Sequence, residues 1–326
     1  MTDINKHLEC VLSSHKIGKE QGLLDKHIEK RNEIKEALEI EYGSNLYSPF
    51  NSGSYAKNTA VNLKFDFDLM APFKRNAFNV NGTLKEMFDS VYKFLKEKYH
   101  GKEANVRDQK VSIGIEFYSD ADGHIVKIDV VPGRELNVDQ YKEDKKLNLY
   151  VNKKFGAIDE GSDYIRSNIQ AQIDNIKDRA TAEKDSIRKI IRLLKIWKIN
   201  NKPDLKSFFV ELIVIKSFDN VKVEGDLWGK LKIVMEFIRD KVEDISLPDP
   251  GNSTNEVANT LTDVEKSVLS DDMKYMIDRI EENSDNIKTY FKVNENHPCE
   301  ENIENEYGRK GEGVSVPPST RFGLNE

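Results

Sequence analysis

Cysteine is nearly absent from this sequence. Cys10 and Cys299 are the only two in 326 residues. They stand far apart in polar surroundings and fit neither a zinc spacing nor a disulfide framework, so the expectation is a reduced protein of the cytoplasm. His297 lies near Cys299, but two candidate ligands make no zinc site. Long apolar runs are missing as well. No stretch of roughly 18 apolar residues occurs, which argues against a membrane-spanning helix, and residues 1–12 lack the apolar centre of a signal peptide. A basic excess is also missing, since 50 Lys and Arg face 57 Asp and Glu for a formal net charge of −7. Proteins that grip duplex nucleic acid through its backbone usually carry surplus cations. The balance disfavours a nucleic-acid coat or repressor and leaves room for a local basic cleft.

What is present is a change of texture along the chain. Leu24, Ile28, Ile34 and Leu38 recur near helical spacing and predict a helix over 20–42. Residues 44–62, rich in Ser, Asn, Gly and Pro, read as turn and loop. Residues 63–70 alternate apolar and charged with period two, which is strand spacing. Thr83 and Glu86 form a candidate capping box ahead of an amphipathic helix over 84–99. Val111, Ile113, Ile115 and Phe117 alternate with polar or small residues. Asp122-Gly123 separates that strand from a second over 124–131, either its hairpin partner or its neighbour, and Pro132-Gly133 is expected to end it.

From about 160 the signals turn helical, with faces at Ile187, Ile190, Ile191 and Leu194, at Phe209, Leu212 and Ile213, and at Leu231, Val234 and Ile238. A loop over 247–256 and a helix over roughly 260–282 follow. The expectation is an α+β chain in two lobes with a ligand cleft between them. Residues 1–160 would form a lobe with a mixed sheet and a leading helix, 161–305 a helical lobe, and 306–326 a flexible tail poor in apolar residues.

The strand over 63–70 carries the chemistry. Phe65, Phe67 and Leu69 should point to one side, and Asp66 and Asp68 to the other. Two carboxylates about 7 Å apart along a strand repel unless a cation lies between them, and Mg²⁺ prefers such oxygen ligands. In the later strand Val126, Ile128 and Val130 face one side, and Lys127 and Asp129 the other. If the strands are neighbours, three carboxylates converge as a two-metal site requires. Asp on the solvent face of a half-buried strand is also ordinary, although Asp is disfavoured in strands.

Upstream lies Asn51-Ser52-Gly53-Ser54-Tyr55. Gly53 allows close backbone approach, and successive amides with a serine hydroxyl can cradle a phosphate; a plain surface turn reads the same way. Arg188, Arg192 and Lys195 form a basic stripe opposite the apolar face of their helix, either a solvated face or one turned to a polyanion. Trp197 reads as core.

Taken together, Gly53-Ser54, Asp66-Phe-Asp68 twelve positions on, and the later Asp129 resemble the signature of DNA polymerase beta-type nucleotidyltransferases. The fuller text narrows the resemblance. Ser52-Gly-Ser-Tyr-Ala-Lys-Asn-Thr, Phe65-Asp-Phe-Asp-Leu-Met, Lys127-Ile-Asp-Val-Val-Pro-Gly-Arg, Arg192-Leu-Leu-Lys-Ile-Trp-Lys and Leu205-Lys-Ser-Phe-Phe-Val-Glu211 are similar to the bacterial cGAS/DncV-like nucleotidyltransferases (CD-NTases) of the CBASS anti-phage systems. The resemblance spans roughly residues 20–285.

It implies a polymerase beta-like lobe, a helical lobe, and synthesis of a cyclic di- or trinucleotide messenger from nucleoside triphosphates with release of pyrophosphate. A linear product, an oligoadenylate or an extended RNA end, is the alternative, and a catalytically inactive nucleotide binder on the same fold is a third. Asp66, Asp68 and Asp129 would be catalytic and hold two Mg²⁺ ions, with Mn²⁺ as substitute. Gly53, Ser54, Lys195 and Ser207 would bind nucleotide. The implied partners are nucleoside triphosphates, an effector protein reached through the diffusible product, and a regulatory CBASS protein at the C-terminal tail. No DNA or membrane is needed, since the chain lacks the Cys/His cluster of the DNA-sensing animal members.

Overall fold

A computed structural model of the chain describes residues 1–63, 66–78, 82–155, 164–202 and 204–299. Phe65 and the tail over 306–326, both used in the sequence reading, lie outside these.

Two helices lead, α1 (Ile4–Ser14) and α2 (Gln21–Tyr42). The chain then runs through β1 (Phe50–Ser52), α3 (Gly53–Lys57), β2 (Phe67–Phe73), α4 (Leu84–Tyr99), β3 (Ala104–Asp108), β4 (Ile113–Phe117), β5 (Lys127–Glu135), α5 (Tyr141–Asp144), β6 (Leu147–Tyr150) and β7 (Tyr164–Ser167). There follow α6 (Ile169–Lys177), α7 (Thr181–Asn201), α8 (Ser207–Asn220), α9 (Leu227–Lys241), β8 (Pro248–Asp249), β9 (Asn252–Glu256), α10 (Asp263–Glu282) and α11 (Ile287–Tyr290). The first seven strands form one sheet of order β1-β2-β5-β4-β3, extended by β6 on β5 and β7 on β6. It is mixed: β2 and β5 are parallel and the other pairs antiparallel. This is an α+β architecture.

Local sequence accounts for much of it. Thr83 and Glu86 make the reciprocal capping box, and Leu84, Met87, Phe88, Val91 and Leu95 are buried from α4 against the sheet. That core also holds Phe67, Leu69, Ile113, Ile115, Ile128 and Val130, the inward set of the alternating strands. A second core gathers α7 to α10, including Trp197, and takes in Leu8, Val11 and Leu12 of α1. The first helix thus packs on the helical half.

Several expectations need correction. Pro132-Gly133 does not end its strand, because β5 runs on to Glu135. Pro132 falls between two ladders: β4 pairs with β5 as far as Val130, and β6 takes over at Gly133. A ring without N–H is tolerated at such a gap. Gly133 serves packing, since a Cβ there would lie 2.9 Å from Leu149 Cδ2. The stretch read as loop over 44–62 contains β1 and α3, and that over 247–256 contains β8 and β9. These pieces are too short to show periodicity. β7 falls in the stretch read as helical, because its four residues gain their order from β6. β2 starts at Phe67, so Asp66 precedes the strand.

The cysteines are the sharpest correction. Cys10 and Cys299 form a disulfide, with Cα atoms 5.6 Å apart and a sequence separation of 289. No local spacing could show this. The pairing exists because the chain returns across α1 after α11. His7 Nε2 meets the Phe291 carbonyl at 2.8 Å, the Asn294 amide donates to Ser14 Oγ at 3.1 Å, and His297 pairs with Glu20. Reducing the oxidised protein, or Cys10→Ser, is expected to lower its thermal midpoint by several degrees, as a loss of about 2–4 kcal/mol would. Thermal unfolding with and without reductant tests this. An unchanged midpoint, with both thiols titratable beforehand, would show the pair to be open.

Candidate active site

The turn from β1 into α3 and the start of β2 build one wall of a pocket of about 320 Å³. Ser52 pairs with Asp68 across the antiparallel β1–β2 ladder, so the Gly53 turn passes directly over the Asp68 side chain. Gly53 has φ +61°, and a Cβ built there would lie 1.7 Å from Asp68 Oδ2. Glycine is required twice, for the left-handed backbone and for the space the carboxylate occupies. The sequence reading had Gly53 let the backbone approach a phosphate; the structure adds that the space beside its Cα is taken by Asp68. Ser54 is the second residue of α3, and just past the helix the Thr59 amide bonds the Ser54 carbonyl at 2.9 Å.

β2 and β5 are neighbours with Asp68 opposite Asp129, the adjacency on which convergence of the carboxylates depended. On its other side Asp129 faces Gly114 of β4, and that glycine leaves room for Gln109 Nε2 to donate to Asp129 Oδ1 at 3.1 Å. Burial, followed by the charges of Asp66 and Asp129, pushes the Asp68 carboxyl up to about 7. Burial and then Asp66 also raise Asp129, against the pull of the Gln109 hydrogen bond. Burial and mutual repulsion of this kind would be relieved by a cation beside the carboxylates. The donors are hard oxygens, which suit Mg²⁺ or Mn²⁺.

Asp66, Asp68 and Asp129 are not drawn into a tight cage. Among the described residues, Asp120, Asp122 and His124 are the group whose ligand atoms all lie within 4.8 Å of one another. There the Lys26 ammonium already sits, in contact with Asp120 and bonded at 2.9 Å to Asp122. That surface cluster is an ion pair.

The far wall comes from the helical half. Lys195 of α7 and Ser207 at the start of α8 line the same pocket as Ser54, Asp66 and Asp68. Lys195 Nζ lies 2.5 Å from Glu211 Oε1 and 3.0 Å from Thr59 Oγ1, while Lys57 bonds the other Glu211 oxygen. Thr59 Oγ1 donates to Glu211 Oε1 at 2.9 Å. Burial alone would raise the Glu211 carboxyl; Lys195 and Lys57 outweigh it and hold it down at about 2. Lys57, Thr59 and Glu211 are pocket residues that the sequence reading quoted within motifs and gave no role. The sign available was a charged residue, Glu211, within the apolar run 208–215 of α8. The basic stripe divides: Arg188 Nε donates to the Lys57 carbonyl at 3.1 Å, Lys195 enters this pocket, and Arg192 borders another.

No protein-family model matches the sequence, and no curated protein matches it. Solved structures do. The Bradyrhizobium diazoefficiens CD-NTase CdnG in complex with GTP aligns with a TM-score of 0.68 at 12% identity, over 89% of this chain and 96% of that one. Escherichia coli CdnC with ATP aligns at 0.63 and 20% identity, over 85% and 91%. Vibrio cholerae DncV cyclic AMP-GMP synthase with its linear intermediate aligns at 0.58 and 16%, over 76% and 70%. The chain has the fold of these proteins.

Two outcomes follow from the crowded carboxylates. Gly53→Ala should cost about 1–3 kcal/mol through its backbone angle, with a further loss as the Asp68 side chain is displaced, read by denaturant unfolding. The second concerns pH. The folded protein binds the Asp68 proton more tightly than the unfolded chain, whose carboxyl titrates near 3.8. This group's contribution is therefore fully present below about pH 4 and declines until about pH 7. In chelator, the stability of Asp68→Asn relative to the unaltered protein should rise between about pH 4 and about pH 7 by an amount on the order of a few kcal/mol. A difference that stays flat with pH would remove the assigned burial and repulsion.

Proposed function

We infer that the chain is a nucleotidyltransferase that makes a cyclic oligonucleotide from nucleoside triphosphates in anti-phage signalling. One observation carries this reading: Ser54, Asp66, Asp68, Lys195 and Ser207, drawn from four separated segments, line a single pocket, with Asp129 on the strand beside Asp68. The fold shared with CdnC, CdnG and DncV, described with ATP, GTP and a linear dinucleotide intermediate, supports the substrate class.

In this reading the catalytic half spans 1–160, with its leading helix α1 docked on the helical lobe of 161–305. The Ser54 hydroxyl and the amides of the Gly53 turn bind the donor triphosphate. Lys195 and Ser207 take its phosphates from the opposite wall, which fixes the α-phosphorus for attack. Asp66, Asp68 and Asp129 would hold two Mg²⁺ or Mn²⁺ ions, which when bound neutralise phosphate charge and make a hydroxyl easier to ionise. Asp129 helps to activate the attacking ribose hydroxyl. As that proton leaves, the oxygen bonds to the α-phosphorus and the bond to pyrophosphate breaks. A second attack of the same kind, by the other ribose, closes the ring. The substrates are cytoplasmic, which favours that compartment, although a disulfide such as Cys10–Cys299 is uncommon there. The product would reach an effector protein by diffusion. Escherichia coli CdnC is described in complex with a HORMA protein, which supports a regulatory partner here too, and the tail over 306–326 is the segment we assign to it.

Incubation with labelled ATP, GTP, CTP and UTP plus Mg²⁺, then mass spectrometry, should give a product resistant to phosphatase. A phosphatase-sensitive product means the linear alternative, and none in any condition means a binder. Asp66→Asn with Asp68→Asn should abolish synthesis with the fold retained; near-normal synthesis would overturn the carboxylate assignment. Ser54→Ala should weaken donor binding by about 1–3 kcal/mol, and unaltered kinetics would reduce the Gly53 segment to an ordinary turn. Deleting 308–326 should leave turnover of the purified enzyme intact.

A further inference from the structure

A second pocket, of about 410 Å³, backs onto the first. It is lined by Lys16, Gly18, Lys19, Asn58, Ala60 and Arg192, and Ala60 borders both pockets. The segment from Lys57 to Ala60 is the wall between them. Lys57 and Thr59 face the carboxylate side, and Asn58, in left-handed conformation with φ +58°, faces the other.

Arg192 is the informative residue. It is the middle member of the basic stripe on α7, and its neighbours along that face are engaged: Arg188 holds the Lys57 carbonyl and Lys195 holds Glu211. Arg192 makes no hydrogen bond or ion pair among the described residues, and its Nε is buried with no partner. Burial, and then the like charge of Arg188, disfavour its charged form; Asp185 and Glu9 oppose this from a distance without bonding to it. Glu9 is itself paired with Lys189 at 2.6 Å. An unpartnered, part-buried guanidinium beside a second arginine is costly to keep. The cost is offset when an anion fills the pocket, and the exposed Lys16 and Lys19 add two charges to its lining.

We propose that this pocket is a binding site for a small phosphate-bearing anion, seated on Arg192 and closed by Lys16 and Lys19. A guanidinium offers paired donors that match two phosphate oxygens, and three cations suit a ligand with more than one negative charge. The volume admits a di- or triphosphate, free or as the head of a nucleotide. The proposal stands apart from the catalytic reading, because it concerns binding on the far side of the Lys57–Ala60 wall and needs no turnover.

The test is calorimetric titration of the full chain in chelator with inorganic pyrophosphate and, separately, with ATP. Arg192→Met should weaken pyrophosphate binding at the rear pocket at least about tenfold, whereas Ser54→Ala, in the other pocket, should leave that binding event unchanged and weaken only the one at the carboxylate side. Arg192→Met should also melt at or above the temperature of the unaltered protein without ligand, since it removes an unpaired buried charge. Lys16→Met with Lys19→Met, both exposed, gives a second route to lost binding if the arginine variant does not fold. ATP binding with the same Arg192 dependence identifies the phosphates as the determinant for a nucleotide as well. The proposal is overturned if pyrophosphate does not bind, if Arg192→Met leaves every binding event unchanged while Ser54→Ala removes binding, or if ATP binds while pyrophosphate does not.

Discussion

The structure depends on one buried charge cluster. Glu211, on the central helix of the helical half, accepts from Lys195 beside it and from Lys57 and Thr59 across the pocket. Lys57 and Thr59 belong to the short segment between β1 and β2, so this cluster ties the sheet to the helices at the pocket floor. Its charges are almost wholly out of water, with Lys195 and Glu211 4% and 3% exposed. A group so placed keeps its charge only while its partners stay put, and removing one partner from such a pair typically costs about 3–5 kcal/mol. The position of α3 relative to α7 and α8 is thereby narrowly set, and with it the distance between Ser54 on one wall and Ser207 on the other.

That constraint explains why the carboxylate wall can be as crowded as it is. Asp68 sits beneath the Gly53 turn and beside Asp129, a location that burial and like charge both oppose. Two glycines make the arrangement sterically feasible, Gly53 over Asp68 and Gly114 beside Asp129 with its Gln109 donor. Stability lost at these carboxylates is recovered in the two hydrophobic cores that flank them. Strain of this kind persists where the surrounding packing over-determines it, and it collects where a ligand is to be held.

The same α7 face shows how position within one helix divides labour. Arg188, Arg192 and Lys195 are successive members of one stripe, yet one ties down a backbone carbonyl, one borders a separate pocket without a partner, and one joins the buried cluster. The segment from Lys57 to Ala60 touches all three environments. A ligand in the rear pocket would therefore bear on the wall that carries Lys57 and Thr59.

Sequence by itself determined the elements whose signals are local. Alternation in 113–117 and 126–130, the Thr83–Glu86 box, and the helical periods of α2, α7, α8 and α10 are written within a few residues of each other, and the α+β order followed from them. Asp68 and Asp129 could be noticed too, because Asp within an apolar alternation is unusual, but that their strands are neighbours was only one of the alternatives until the sheet order decided it. Tertiary structure alone decided what lies between distant segments. The Cys10–Cys299 bond joins residues 289 positions apart. The Lys57–Glu211–Lys195 cluster spans three elements, and the passage of β5 through Pro132 depends on where β4 ends and β6 begins. The partner chosen by Glu211 or Cys10 depends on how the two cores dock, and docking is set by the summed packing of many apolar residues, none of which names the polar contact it brings about.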